Sequence, residues 1–321
     1  MSRLFDPQVA ADAAALVDET VGKQFGERYN GRYHLPLLPG EAGTKAGGDW
    51  VPYGVMSATN LAGAIVDSRA LSIWERERSQ LGLAIRPELF ERMVFAVNSA
   101  RSEGVDFAEL HASNAGKALV RVLTELHEDA KTACGGNQAS IMGTNRHDAW
   151  EARAVTGRLF GTPQVNAEIE ALEALLDANG LERVPGLQER VVRNDQLKSG
   201  GKLDDVLMSR KTGRLYLADL KTKRKQFYSW LEAWIQQAVY ATSPWMLNDT
   251  RDGYIPGPAH HVDQKSAILL RAPSDGAAPY LQRVDLELGV KWARLARDVV
   301  EARSEARSVK SFALAEWREE A

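Results

Sequence analysis

The sequence predicts an α/β protein: a mostly helical N-terminal part over residues 1–134, then a sheet flanked by helices over residues 135–321. Three observations carry this. The 321 residues are 44% hydrophobic and 26% charged, an ordinary globular composition with chain enough for a sizeable core. Apolar positions recur at helical spacing through most of the first part. After the break at Gly135, Gly136 and Asn137 the order changes to helices, short strands, a helix and strands, which reads as a sheet with helices packed against it.

In chain order, helical patterns cover residues 7–25, 57–81, 87–101 and 107–132, interrupted by a Gly- and Pro-rich loop over 37–53. Thr144 or Asn145 can cap a helix running to about 160, and another fills 165–179. Strands follow at 187–193, 202–209 and 214–220. Lys211, Thr212 and Gly213 supply the turn of a hairpin between the last two. A helix at 227–242, strands at 266–271 and 280–286, and an amphipathic helix at 287–308 complete the chain.

Composition narrows the function classes. Apolar runs fall short of the ~18 residues that span a bilayer, and residues 1–20, with Arg3, Asp6 and Asp12, lack a signal-peptide core. Cys134 is the single cysteine, so it forms neither an internal disulfide nor a four-cysteine metal site. The expectation is a soluble protein of a reducing cytoplasm with no membrane partner. A net charge of -3 argues against coating nucleic acid by bulk charge, but leaves room for a local basic groove. Basic residues do cluster between Arg183 and Trp230, among them Lys202, Arg210, Lys211, Arg214, Lys221, Lys223, Arg224 and Lys225.

The few acids in that stretch point to chemistry. Asp219 and Lys221 end an apolar strand and, by alternation, share one face while Leu220 takes the other. Across the hairpin, Asp204 and Asp205 interrupt a second apolar run, and Glu189 adds an acid on the strand before it. Converging carboxylates repel, and a divalent cation is the usual way to keep them ionised; hard oxygen ligands suit Mg2+ or Mn2+ better than zinc. Alternation alone does not decide which of Asp204 and Asp205 faces such an ion.

The ordered set Gly201, Leu203 and Asp204, then Asp219, Leu220 and Lys221, then Gln236 and Tyr240 resembles the PD-(D/E)XK nuclease superfamily, specifically its RecB-like exonuclease branch. Gly143 and His147 match that branch's Gly-x-x-x-His helix. The resemblance runs from Gly143 to Tyr240 and extends to the strand ending near Arg271. It implies a restriction-endonuclease-like core, a central mixed sheet flanked by helices. It implies that His147, Asp204, Asp219 and the Leu220 carbonyl ligate Mg2+ or Mn2+. Glu189 would be an additional acid for a metal or the attacking water. Lys221 would orient that water and stabilise phosphate charge. Gln236 and Tyr240 would lie beside bound DNA, with Lys223 and Arg224 as further DNA contacts. The register favours Asp204 over Asp205.

The implied activity is metal-dependent hydrolysis of DNA, from a single strand or a duplex end, in recombination, repair or phage DNA metabolism. A phage or host recombination protein is an implied partner. Leu203 replaces the proline that names the superfamily, and the iron–sulfur cysteines of some relatives are absent. Residues 57–74 are similar, more loosely, to the N-terminal segment of phage-encoded members. The competing readings are a non-catalytic DNA-binding or scaffold protein on the same fold, and a sequence-specific endonuclease.

Weaker signals have plainer explanations. Gly40, Gly43 and Lys45 have the wrong spacing for a phosphate loop and read as flexible chain. His260 and His261 read as an exposed loop pair, His111 and His127 as structural, and Glu151, one turn from His147, as a surface acid. Phe227, Tyr228, Trp230, Trp234 and Tyr240 crowd the helix at 227–242, where some of them could stack on bases; Trp234 and Ile235 read as core.

Overall fold

The computed structural model describes residues 28–29, 32–36, 44–46, 49–51, 53–66, 69–222, 230–273 and 276–309. The helical pattern at 7–25, together with Lys223, Arg224, Phe227 and Tyr228, lies outside them. The described elements are β1 (Arg28–Tyr29), β2 (Arg32–Leu35), β3 (Thr44–Ala46), β4 (Asp49–Val51), β5 (Tyr53–Ser57), α1 (Ala58–Ala62), α2 (Arg69–Ile85), α3 (Pro87–Ser102), α4 (Asn114–Ala133), α5 (Gln138–Thr156) and α6 (Pro163–Ala178). They continue with β6 (Leu181–Arg183), β7 (Val191–Asn194), β8 (Ser199–Lys202), β9 (Asp205–Ser209), β10 (Leu215–Lys221), α7 (Trp230–Ala241), β11 (Trp245–Leu247) and β12 (Tyr254–Pro256). A 3-10 turn (Pro258–His260), β13 (Ser266–Arg271), β14 (Tyr280–Asp285) and α8 (Leu286–Val309) complete them. The protein is α/β with two mixed sheets.

The chain forms two compact units. One combines Met1–Val66 with Asn145–Ala321; the other is Asp67–Thr144. The sequence places its boundary after Cys134, whereas the units divide after Val66 and after Thr144. The reason is long-range pairing: β5 lies parallel to β8, with Met56 opposite Ser199. The Ser199 hydroxyl donates to the Met56 carbonyl at 3.0 Å.

In the larger unit the five-stranded sheet has the order β14-β13-β10-β9-β6. β9 and β10 are an antiparallel hairpin, closed as expected at Gly213, whose φ of 68° suits glycine. β13 runs parallel to β10, and α7 lies in the connection between them, as parallel neighbours require. Side chains alternate faces along β10, and both faces are covered. Leu215 and Leu217 pack with Ile235, Ala238, Leu269 and Ala293, on the face carrying α7 and α8. Ala218 and Leu220 pack with Trp150, Ile169, Leu172 and Leu270, on the face carrying α5 and α6. A second, seven-stranded sheet has the order β1-β2-β5-β8-β7-β11-β12, and β3 and β4 pair by themselves.

Several expected elements are shorter or broken. The strand anticipated at 202–209 is two, β8 in one sheet and β9 in the other, and Leu203 and Asp204 form the corner between them. The strand at 187–193 contracts to β7, so Glu189 sits in the preceding turn with φ 56° rather than on a strand. The loop at 37–53 contains β3 and β4, and Gly40 and Gly43 lie outside the described residues. The helix at 57–81 divides into α1, capped by the Ser57 hydroxyl on the Asn60 amide at 3.2 Å, and α2. α5 starts at Gln138, leaving Thr144 and Asn145 inside it rather than capping it.

The smaller unit packs α2, α3 and α4 around Leu89, Leu126 and Ala130. Pro87 opens α3, and the Ser113 hydroxyl caps α4 through the Gly116 amide at 3.0 Å. Among the described residues no helix is long and apolar enough to cross a membrane.

Candidate active site

The hairpin ladder ends at Ala218 opposite Asp205. Leu220, the next residue turned toward that edge, therefore has no strand residue facing it on the β9 side. The corner side chain of Asp204 fills the gap: its Oδ2 accepts from the Leu220 amide at 3.0 Å. The same Oδ2 lies 3.4 Å from Nδ1 of His147 on α5. The break between β8 and β9 thus turns Asp204 toward His147.

Asp219 and Lys221 share a face, as alternation requires. Asp219 is 1% exposed. Its Oδ2 is 2.7 Å from Lys221 Nζ, and among the described residues no further donor reaches either carboxylate oxygen. Such a buried carboxylate costs free energy unless its charge is met by something else. Lys221 Nζ also donates to Gln236 Oε1 at 3.1 Å, and Gln236 Nε2 to the Tyr240 hydroxyl at 3.2 Å. Gln236 and Tyr240, one turn apart on α7, form a relay that fixes the ammonium. Tyr240 is itself buried, its ring closing over Gly201, so it acts from inside the fold.

The electrostatics follow from this crowding. Burial raises the Asp204 pKa well above its usual 3.8 and the Asp219 charge raises it further, outweighing Lys221 and the Leu220 amide. Burial alone would lower Lys221, yet Asp219 and Asp204 hold it above 10.5, a committed cation. Burial lowers His147 below 6.5, against the pull of Asp219, which favours a neutral imidazole with a free lone pair at neutral pH. Burial raises the Tyr240 hydroxyl and keeps it protonated. Glu189 is raised by burial despite its ion pair with Lys202.

His147, Asp204, Asp219, Leu220, Lys221, Gln236 and Tyr240 are thereby linked through contacts at one end of β10, with Glu189 near enough to act electrostatically on Asp204. Among the described residues no three His, Cys, Asp or Glu side chains are drawn into a ready-made metal cage. The donor set nevertheless fits a hard cation. It offers a carboxylate whose partner among the described residues is the Lys221 ammonium alone, a second carboxylate whose ionisation is opposed by the first, and an imidazole with a lowered pKa.

Asp205 belongs elsewhere. It is 0% exposed and held by Arg183, Trp150 and Gln188 on the α5 face of the sheet. The register's preference for Asp204 agrees with this placement. The sequence gives little sign of the Trp150 and Arg183 contacts; the only cue is a tryptophan three residues after the motif histidine.

Among the described residues most of the basic stretch is paired with acids. Arg190 pairs with Asp249, Arg193 with Asp195, Lys198 with Glu301, Arg210 with Asp177 and Arg214 with Asp263. Glu151 is half-buried and lines a cavity of about 480 Å³ together with Glu189. His260 and His261 are exposed, as expected of a loop pair, as is His111, while His127 is half-buried. Ile235 is core, Trp234 half-buried and Trp230 39% exposed.

No protein-family model matches the chain, and no curated protein is significantly similar to it.

Proposed function

We propose that the chain is a PD-(D/E)XK-type deoxyribonuclease of the RecB-like branch, a cytoplasmic exonuclease that hydrolyses DNA phosphodiester bonds with Mg2+ or Mn2+. Asp219 carries the reading: a buried carboxylate that, among the described residues, is met only by the ammonium of a lysine two residues on, and that is coupled to Asp204 and His147. The order of the larger unit supports it too. Helix α6, strands β6 to β10, helix α7 and a β13 parallel to β10 follow the succession that the sequence resemblance implies.

His147, Asp204, Asp219 and the Leu220 carbonyl are the residues that would hold the ion, which would supply a Lewis acid for the phosphate and lower the pKa of the attacking water. The chain's own residues do the rest. Lys221, kept protonated by two carboxylates and steered by Gln236, presents fixed positive charge where negative charge grows on a phosphoryl oxygen. Glu189, with its pKa raised, suits a proton acceptor at the edge of the site. Tyr240 and Gly201 keep α7 closely seated on β8.

The test compares end-labelled linear DNA with closed circular DNA. With Mg2+ or Mn2+, labelled nucleotides are expected from the linear substrate alone, and EDTA or Asp219→Ala should abolish their release. Cleavage of circular DNA would make the protein an endonuclease. Activity surviving both EDTA and Asp219→Ala would overturn the mechanism. Binding without cleavage of either DNA would make it a non-catalytic DNA-binding protein.

A further inference from the structure

Asp205 stands next to Asp204 yet contacts different residues, Trp150 where Asp204 meets His147, and its carboxylate is fully engaged. Oδ1 accepts from the Val206 amide at 3.0 Å and from Gln188 Nε2 at 2.9 Å. Oδ2 accepts from Trp150 Nε1 at 3.1 Å and from Arg183 Nε. Four donors meet the roughly four lone-pair sites of an ionised carboxylate. Three of the donors come from the segments that carry His147, Glu189 and Asp204, and the fourth, Arg183, from β6. Trp150 sits one turn beyond His147 on α5. Gln188 adjoins Glu189 in the turn before β7. Val206 follows the corner that turns Asp204.

Arg183 ties the arrangement together. Its Nη1 donates to the Trp150 carbonyl at 2.8 Å, and its guanidinium carbon lies 4.0 Å from the centre of the Trp150 ring. α5 is thereby joined to β6 by Arg183 and to β9 by the Trp150 Nε1–Asp205 hydrogen bond. His147 lies three residues away on the same helix, and its neighbour Arg146 ties α5 to α6 through Glu168, so the Asp205 cluster is the anchor that joins this helix to the strands of the sheet.

We infer that Asp205 is a positioning residue: through Trp150, Gln188 and its own strand it sets the relative placement of His147, Glu189 and Asp204. The inference rests on the proposed nuclease reading. A carboxylate that orients the groups around a metal without touching it changes affinity for the ion, whereas one that only stabilises the fold does not.

The full chain should be titrated with Mn2+ by calorimetry and by electron paramagnetic resonance, for the wild type, Asp205→Asn, Trp150→Phe and Asp204→Ala. The expected result is Mn2+ affinity lowered about 10- to 100-fold in Asp205→Asn and in Trp150→Phe, with circular dichroism unchanged. Trp150→Phe keeps an aromatic ring under Arg183 while removing the Nε1–H donor together with part of the buried indole, so it carries the test, with circular dichroism as the check on folding, if Asp205→Asn fails to fold. Wild-type affinity in the folded variants, alongside loss in Asp204→Ala, would overturn the positioning role and leave the nuclease reading standing. Wild-type protein that binds no Mn2+, or binds it equally well after Asp204→Ala, would overturn both.

Discussion

At the scale of the residue, the chemistry turns on a lysine held between opposing demands. Lys221 is attracted by Asp219 and Asp204 and steered by Gln236, so it is a fixed charge more than a titrating group. Lys221→Ala is expected to lower kcat by roughly 10²–10³ while leaving Mn2+ affinity within a few-fold of wild type. Single-turnover cleavage and calorimetry would check this, and a parallel loss of affinity would reassign Lys221 to holding the ion. These residues were legible because strand alternation and an apolar run make a terminal acid–lysine pair conspicuous. The division of labour between Asp204 and Asp205 was not. Asp204 lies in the corner between two strands, where the period of two lapses, and Asp205 is explained by Trp150 and Arg183, which are remote in sequence.

At the scale of the element, close packing sets the tolerances. A Cβ at Gly201 would meet the Tyr240 hydroxyl at 2.4 Å and ring carbon Cε1 at 2.6 Å, so Gly201→Ala must push α7 away from β8. Urea unfolding should show a loss of about 1–3 kcal/mol. Another element contact gives a pH signature. Arg146 on α5 binds Glu168 on α6, with Nη2 2.8 Å from Oε1, and this hydrogen bond lowers the Glu168 pKa below 4.5. A lowered carboxyl stabilises the fold above the unfolded value, and that contribution fades as pH falls through the native one. Glu168→Gln should therefore cost about 1–2 kcal/mol at pH 7 and progressively less below pH ~4.5, read as Tm against pH. Elements with local cues were readable: β13 occupies residues 266–271 as expected, and α8 closes the chain. Strands β2 and β5 were not, because Gly and Pro punctuate their surroundings and β5 finds its outer partner in β8, far along the chain.

At the scale of the whole molecule, the site and the fold are coupled through charge. Asp204 and Asp219 repel in the free protein, so an ion that binds them stabilises the folded chain and not the unfolded one. Mn2+ at about 100 times its Kd should add about 2.7 kcal/mol, seen as a rise in Tm. The rise should vanish in Asp219→Ala. Asp204→Asn, by removing one of two mutually repelling negative charges, should raise the Tm of the EDTA-treated protein above wild type. A Tm indifferent to Mn2+ in the wild type would count against the site as a cation centre. The overall class was legible from composition and element order, whereas the division into units was not, since it depends on a pairing that no local pattern announces.

That pairing sets a clock for synthesis. Met56 leaves the ribosome 143 residues before Ser199, a delay of roughly ten seconds or more at usual elongation speeds. Meanwhile the intervening helices α2, α3 and α4 emerge with all their mutual contacts already translated and can fold at once. Strand β5 must wait with an unpaired edge, so chaperone capture of the nascent chain should peak while residues 67–198 are being made.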